Sequence, residues 1–299
     1  MKFFLALVGT LCLGTVIKAQ STVSINVAGN VTLGLTGLNN TIAAINNTIN
    51  KADTAIWGAW TNWANVLITN LTSIMNRFEG YPTSVSSQLS SLNYSIENLQ
   101  NMLNTQPYYL LSNSELIVLY SNIYQLAEQT GDLLNTVAQN MSTEAICTND
   151  YSVPCLRKYG LQLTTAPVLM SRFNNCLLAE NARINNIGIN MTTQINSSLA
   201  IAQTFINLLS VCTVPTAVAL NQTWPQFVPA ADCLSMYLAQ LGSQMQMNSP
   251  SYVVDMMQYS QVQMVVFRAN RCAKLAQYDI QNSVVRTQAA FTKCLTTGS

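Results

Sequence analysis

Six cysteines in the C-terminal part of the chain are spaced almost symmetrically about one loop, and this spacing restricts the fold. The first two are 21 residues apart and the last two 22, while the intervals on either side of the loop are 36 and 39. In antiparallel helices, similar intervals keep opposite positions level, because each helix rises about 1.5 Å per residue. Of the several pairings that six cysteines allow, the symmetry predicts nested disulfides: Cys212–Cys233, Cys176–Cys272 and Cys155–Cys294.

The first 19 residues are typical of a secretory signal peptide. Lys2 precedes an apolar run from Phe3 to Ile17, and the small residue Ala19 stands before the expected cleavage site. The run is short for a membrane span and suits a signal, although a retained anchor is the alternative. We therefore expect a secreted, extracellular protein.

The remaining cysteines fit an oxidising compartment better than a metal site. Seven lie beyond the signal, from Cys147 onward, with no CxxC pair and no histidine in the chain. Zinc sites draw on such motifs, whereas secreted proteins use cysteine for disulfides. Cys147 is outside the nested scheme, so it is either free or bridges two chains, which leaves a homodimer open.

Nine N-x-S/T sequons follow the signal and would permit N-linked glycans in a secreted protein. The chain is rich in Asn, Ser and Thr, so chance alone supplies many of these motifs. The glycosylation candidates are Asn30, Asn39, Asn46, Asn70, Asn93, Asn140, Asn190, Asn196 and Asn221.

Composition excludes several functional classes. Only 8% of residues are charged, against about 25% in ordinary soluble domains. Loss of Lys2 and Lys18 with the signal leaves 11 cations against 12 acids, so we expect no nucleic-acid binding. The absence of histidine removes His-based acid–base catalysis and the commonest metal ligand. No GxSxG, GxGxxG, P-loop or HExxH motif occurs. We expect no enzyme activity, no cofactor and no metal.

The N-terminal half has the apolar period of packed helices. Gly80, Pro82 and Pro107 interrupt the pattern, which predicts three helices between residues 30 and 145. Ser112 or Ser114 is the expected N-cap of the third. The first stripe consists of Leu35, Leu38, Ile42, Ile45, Ile49, Ala52, Ile56, Trp60, Trp63 and Leu67.

The C-terminal half is predicted to be helical and cross-linked. We expect a long helix from about Val168 to Cys212, a proline-marked loop, a short helix over 232–246 and a last helix over 251–295. The apolar stretch 199–220 contains Pro215 and several polar residues, which indicates a core helix entering a loop and no membrane span. The fold class is therefore all-α: an elongated helical bundle or antiparallel coiled coil (20–145), followed by a disulfide-stapled helical hairpin domain (146–299).

Two groups of apolar side chains are candidate binding residues. Trp57, Trp60 and Trp63 could bind sugars or a membrane interface, but Trp60 and Trp63 share the apolar stripe, so core packing is expected for them and exposure for Trp57. A methionine cluster could line a groove for a hydrophobic ligand between the last helices, or simply fill the core. Its members are Met236, Met245, Met247, Met256, Met257 and Met264.

Two charged groups have helical spacing. Glu128 and Asp132 stand one turn apart, as a catalytic pair could. The apolar residues Leu126 and Leu133 place them on the opposite face of the helix, and we therefore expect both carboxylates to be solvated. Arg268, Arg271 and Lys274 form a basic cluster. That cluster could hold a carboxylate or sulfate, although a solvated stripe is the default expectation.

The region from Cys155 to Cys294 resembles the tsetse-EP-like domain of secreted insect proteins. The resemblance rests on the order of the six cysteines, on Tyr159, on Phe173 before Cys176, and on the Ala-Asp-Cys, Arg-Cys and Lys-Cys-Leu elements that end at or contain Cys233, Cys272 and Cys294. The resemblance covers about half of the chain. The chain departs from the family pattern because it lacks a Glu-Pro repeat. The resemblance implies an insect extracellular protein with no assigned catalytic activity.

Two functions fit these features. The first is a non-catalytic extracellular interaction or structural protein that binds an unidentified extracellular protein. The alternative is a carrier that binds a small hydrophobic ligand between helices.

Overall fold

The computed structural model describes residues 24–78, 82–104, 111–146, 150–212, 230–247 and 250–299, and these residues form helices without any strand. The all-α prediction is confirmed. A 3-10 turn at Leu111–Asn113 precedes α3, and a π-helical turn at Gln258–Val262 joins α7 to α8. The α-helices in chain order are α1 (Ala28–Arg77), α2 (Pro82–Asn104), α3 (Leu116–Ile146), α4 (Ser152–Leu163), α5 (Ala166–Ser210), α6 (Ala230–Met247), α7 (Pro250–Met257) and α8 (Gln263–Thr297).

The three helices predicted in the N-terminal half are present as α1, α2 and α3. Most of the α1 stripe is buried, whereas Leu35 and Ile42 at its N-terminal end are partly exposed. Of the two predicted caps of α3, Ser112 and Ser114, it is Ser114 whose Oγ accepts a hydrogen bond from the backbone N–H of Leu116 at 3.3 Å. The helical period of the sequence therefore identifies the face that each helix buries.

The C-terminal half contains one helix that the sequence did not predict. α4 precedes α5, and α5 begins at Ala166, two residues before the expected start. Pro154 and Pro167 stand in the first turns of these helices, where a residue needs no intrahelical N–H bond. Both prolines are therefore compatible with the helices that contain them.

The six described cysteines form three disulfides, and these are the pairs that the spacing predicts. Cys155 of α4 joins Cys294, and Cys176 of α5 joins Cys272, both on α8. Cys212, just beyond α5, joins Cys233 on α6. The Cα–Cα distances are 5.7–5.8 Å, within the usual range for a disulfide. Cys147 lies outside the described residues.

The described residues group into two compact units, and neither unit corresponds to one half of the sequence. The described residues of unit 1 fall within Met1–Ala44, Val118–Ala179 and Phe267–Ser299, and those of unit 2 within Ile45–Ile117 and Glu180–Val266. Both units therefore contain residues from both halves of the sequence. The reason is that α1, α5 and α8 each contribute one part of their length to each unit.

Hydroxyl side chains on the exposed helix faces bond back to their own helices. The Oγ1 of Thr32 donates to the Ala28 carbonyl at 2.9 Å, and the Oγ1 of Thr193 donates to the Ile189 carbonyl at 2.8 Å. Ser90 makes the same bond four residues back. These bonds let a chain with few charges cover its helices with Ser and Thr while leaving the hydroxyl donors satisfied.

Close helix packing in unit 2 depends on small residues. A Cβ placed on Gly188 of α5 would lie 2.5 Å from the Cβ of Ala52 on α1. Ala52 is itself buried, and its Cβ cannot move without the backbone. A Cβ placed on Gly58, which is also on α1, would have no atom within 4 Å.

We expect opposite effects from alanine at these two glycines. Gly188→Ala overpacks the contact with Ala52 and should lower the free energy of unfolding by about 1–3 kcal/mol. Gly58→Ala should raise it by about 0.5–1 kcal/mol, since alanine is the better helix former. Urea unfolding followed by circular dichroism measures both, and a stabilised Gly188→Ala protein would contradict the packing.

Peptide mapping without reduction should recover the three disulfides as separate cross-linked peptides. The double substitution Cys176→Ala/Cys272→Ala should lower the free energy of unfolding by about 2–4 kcal/mol, because the bridge restricts the unfolded chain. A peptide that joins Cys155 to Cys176 would refute the nested arrangement.

Candidate functional site

The predicted tryptophan and methionine sites differ in how far their side chains are exposed. Trp60 and Trp63 are 4% and 1% exposed, so they pack in the core as expected, while Trp57 is partly exposed. Three methionines of the cluster are about half exposed on unit 2, and Met257 is partly exposed, whereas the side chains of Met245 and Met247 lie outside the described set. The three exposed ones are Met236, Met256 and Met264.

The predicted carboxylate pair lies on a solvated face. Glu128 and Asp132 are both exposed on α3, which agrees with the expectation from their place off the seam. Across the described ranges, no three His, Cys, Asp or Glu side chains are grouped so that they could hold a metal ion.

The basic cluster belongs to a larger surface on α8, within unit 1. Positions 267, 271, 274, 275 and 278 follow the three- and four-residue spacing of one helix side. Phe267, Leu275 and Tyr278 are more than half exposed there, beside the exposed Arg271 and Lys274. We call these five residues, together with the half-buried Arg268, the α8 face.

A groove of about 530 Å³ runs between α5 and the α8 face. The disulfide Cys176–Cys272 crosses it, so the two helices that form its walls are covalently joined there. Phe267, Leu275 and Ala276 supply apolar surface to the groove. Arg268 and Arg271 line the same groove and place positive charge beside that apolar surface.

One ion pair stands at the edge of this groove. The Arg172 guanidinium of α5 lies 3.3 Å from the Asp279 carboxylate of α8, and both side chains are about half exposed. Such a pair adds little stability because water screens it. The pair of Arg172 and Asp279 is neutral as a whole. The remaining cations of the α8 face therefore make the surface positive.

A second, more polar groove shares this ion pair. It lies between α4 and α8, and its lining includes Tyr159, Asn282 and Arg286. Thr287 donates a hydrogen bond to the Oε1 atom of Gln162 at 3.0 Å and so links the two helices. The exposed surface of α8 thus passes from an apolar, basic groove to a polar one.

Sequence reasoning identified the cations of the α8 face but not their apolar neighbours. Arg268, Arg271 and Lys274 were expected to form a solvated stripe. Phe267 and Leu275 were not identified because they lie outside the buried face of α8, which includes Ala269, Ala273 and Ile280. The available signal was the recurrence of apolar side chains between cations at helical spacing, which differs from a purely polar outer face.

The sequons fall into two groups by exposure. Asn39, Asn93, Asn140, Asn190 and Asn196 are exposed, whereas Asn30, Asn46 and Asn70 are partly buried, and Asn221 is outside the described residues. The Nδ2 of Asn30 donates to the Thr164 carbonyl at 3.1 Å. A glycan on that nitrogen would have to share the space of this partly buried contact.

Asp53 is a buried carboxylate that sequence reasoning missed. It is 7% exposed, and its two oxygens accept hydrogen bonds from the backbone N–H groups of Leu111 and Ser112 at 2.7 and 3.0 Å. Both contacts hold the 3-10 turn before α3 against α1. Since each oxygen already has a donor, the role of Asp53 is structural.

Removal of the Asp53 carboxylate should destabilise unit 2. We expect Asp53→Ala to lower the free energy of unfolding by about 2–3 kcal/mol, because two buried N–H donors lose a charged acceptor. The matched control Asp132→Ala, on an exposed face, should change it by less than about 0.5 kcal/mol. Equal losses in urea unfolding would show that the two N–H bonds contribute nothing.

Among the described residues, burial shifts the pKa of Tyr120, Glu144 and Asp255. It raises the pKa of the Tyr120 hydroxyl far above its usual range, so this phenol stays protonated at physiological pH. Burial likewise raises the carboxyl pKa of Glu144 in unit 1 and of Asp255 in unit 2. In each case the loss of contact with water disfavours the charged form, completely for the buried Tyr120 and only in part for the two carboxyl groups, which lie near the surface.

Comparison with protein-family models, curated proteins and solved structures finds no match to this chain. Within the described residues, no helix combines the length and the apolar character needed to cross a bilayer.

Proposed function

We propose that this chain is a secreted, non-catalytic interaction protein whose contact surface is the α8 face. The observation that carries the proposal is the combination of exposed Phe267, Leu275 and Tyr278 with Arg271 and Lys274 on one side of a cross-linked helix. Aromatic residues and arginine are enriched at the centres of protein interfaces, where they act as anchors. The partner is an extracellular protein whose surface combines acidic and apolar side chains.

Secretion is supported by the chemistry of the cysteines and by the N-terminus. Three disulfides within one chain suit an oxidising compartment. Lys2 followed by an apolar run is typical of a signal peptide. The resemblance of residues 155–294 to the tsetse-EP-like proteins supports an insect extracellular protein, and the unassigned Cys147 supports a disulfide-linked homodimer.

A carrier of a small anionic amphiphile is the second candidate. It is favoured by the groove over Cys176–Cys272, where Arg268 and Arg271 flank the apolar surface of Phe267 and Leu275. A carboxylate would bind the guanidinium groups, and an aliphatic tail would cover the apolar surface. This groove replaces the methionine cluster as the proposed ligand site.

Photo-cross-linking separates these functions. We expect p-benzoylphenylalanine in place of Phe267 to form a covalent adduct with a protein from the extracellular fluid of the source organism. The same replacement at Leu161, an equally exposed residue of unit 1, is the matched control and should give no such adduct. Arg271→Glu/Lys274→Glu should reduce the yield at position 267 by about tenfold, the effect of a loss of about 1.4 kcal/mol.

Native mass spectrometry of the unreduced protein gives the complementary result. An extra mass of a few hundred daltons that leaves on denaturation would favour the carrier. A dimer that separates only on reduction would place Cys147 between two chains. A bare monomer with no adduct at position 267 would refute both the interaction face and the carrier.

A further inference from the structure

A groove in unit 2 has a glycosylation sequon in its own lining. It has a volume of about 480 Å³ and lies between the C-terminal end of α1 and the middle of α2. Asn93 begins the sequon Asn-Tyr-Ser and contributes to the groove together with the next residue, Tyr94. A sugar attached at Asn93 would therefore start inside the groove.

The exposure and the hydrogen bonding of the Asn93 amide are compatible with an attached glycan. Its side chain is exposed, and Nδ2 donates a hydrogen bond to the Oε1 atom of Glu97, one turn further along α2, at 2.7 Å. A glycosylated amide keeps one N–H, so this bond can persist after modification. Asn30 differs, because its Nδ2 donates to a backbone carbonyl in a partly buried contact.

The lining of the groove matches the surface of an N-acetylglucosamine unit. The Tyr94 side chain is 65% exposed, and an aromatic ring offers a flat surface for the C–H face of a pyranose. Met75 and Leu89 add apolar contacts suited to the N-acetyl methyl group. The Oγ of Ser90, whose proton is donated to its own helix, and the carboxylate of Glu97 can accept hydrogen bonds from the sugar hydroxyls.

We propose that an N-linked glycan on Asn93 lies in this groove, stacked on Tyr94, and forms a fixed part of the surface of unit 2. Its attachment uses a lipid-pyrophosphate-linked oligosaccharide. The bond from Nδ2 to sugar C1 forms, the bond from C1 to the pyrophosphate oxygen breaks, the amide proton is released, and nothing is oxidised. This proposal rests on the proposed secretion, because glycan transfer takes place in the secretory pathway.

The test compares glycan removal at Asn93 with removal at Asn140, another exposed sequon on a helix, or at Asn196. The full-length protein is secreted from eukaryotic cells and treated in its native state with a peptide-N-glycosidase. Site-resolved mass spectrometry then measures release over time. We expect release from Asn93 to be about five- to tenfold slower, as when one aromatic stacking contact must open.

Tyr94→Ala is the decisive variant, since it keeps the sequon as Asn-Ala-Ser. It should leave Asn93 glycosylated while bringing its release rate to that of Asn140, with an unchanged circular dichroism spectrum. Equal rates in the unaltered protein, or an unmodified Asn93 beside occupied sequons elsewhere, would overturn the proposal and leave secretion intact. A complete lack of glycans would count against secretion as well.

Discussion

Burial of one apolar stripe along each long helix is the interaction on which the rest of the structure depends. Only 8% of the residues are charged, so few charged side chains can determine which helices pack together. Removal of apolar surface from water therefore supplies most of the driving force for folding. An apolar stripe alone allows helices to slide by one turn. In unit 1, Cys155–Cys294 and Cys176–Cys272 remove this freedom, because each fixes one position on α8 against α4 or α5.

Much of the fold could be predicted because it follows from regular spacings of residues along the sequence. Prediction of the α1 stripe that ends in Trp60, Trp63 and Leu67 requires only the 3.6-residue repeat of a helix. Prediction of the disulfide pairs requires only that paired helices rise equally per residue. The separate helix α4 and the π-helical turn at Gln258–Val262 have no comparable signal. The composition of the two units has no local signal either, because it depends on which parts of α1, α5 and α8 pack together.

The candidate site could be predicted only in part, for a related reason. The helical spacing of Arg271 and Lys274 is visible in the sequence, and so is the sequon at Asn93. A groove, however, is formed by residues from two helices. Arg172 meets Asp279, and Met75 shares a groove with Tyr94, only after the chain has folded. Local sequence therefore identifies the chemistry of one wall, while tertiary packing provides the opposite wall.

The cations of the α8 face are arginine and lysine, with no histidine among them. Histidine is the side chain whose charge normally changes between about pH 5 and 8, and the chain contains no histidine. A complex formed on this face in a mildly acidic vesicle would therefore keep its electrostatic attraction after release into a neutral fluid, as long as the partner keeps its own charge. If the proposed interaction takes place on this face, this chain contributes no histidine whose protonation could release the partner.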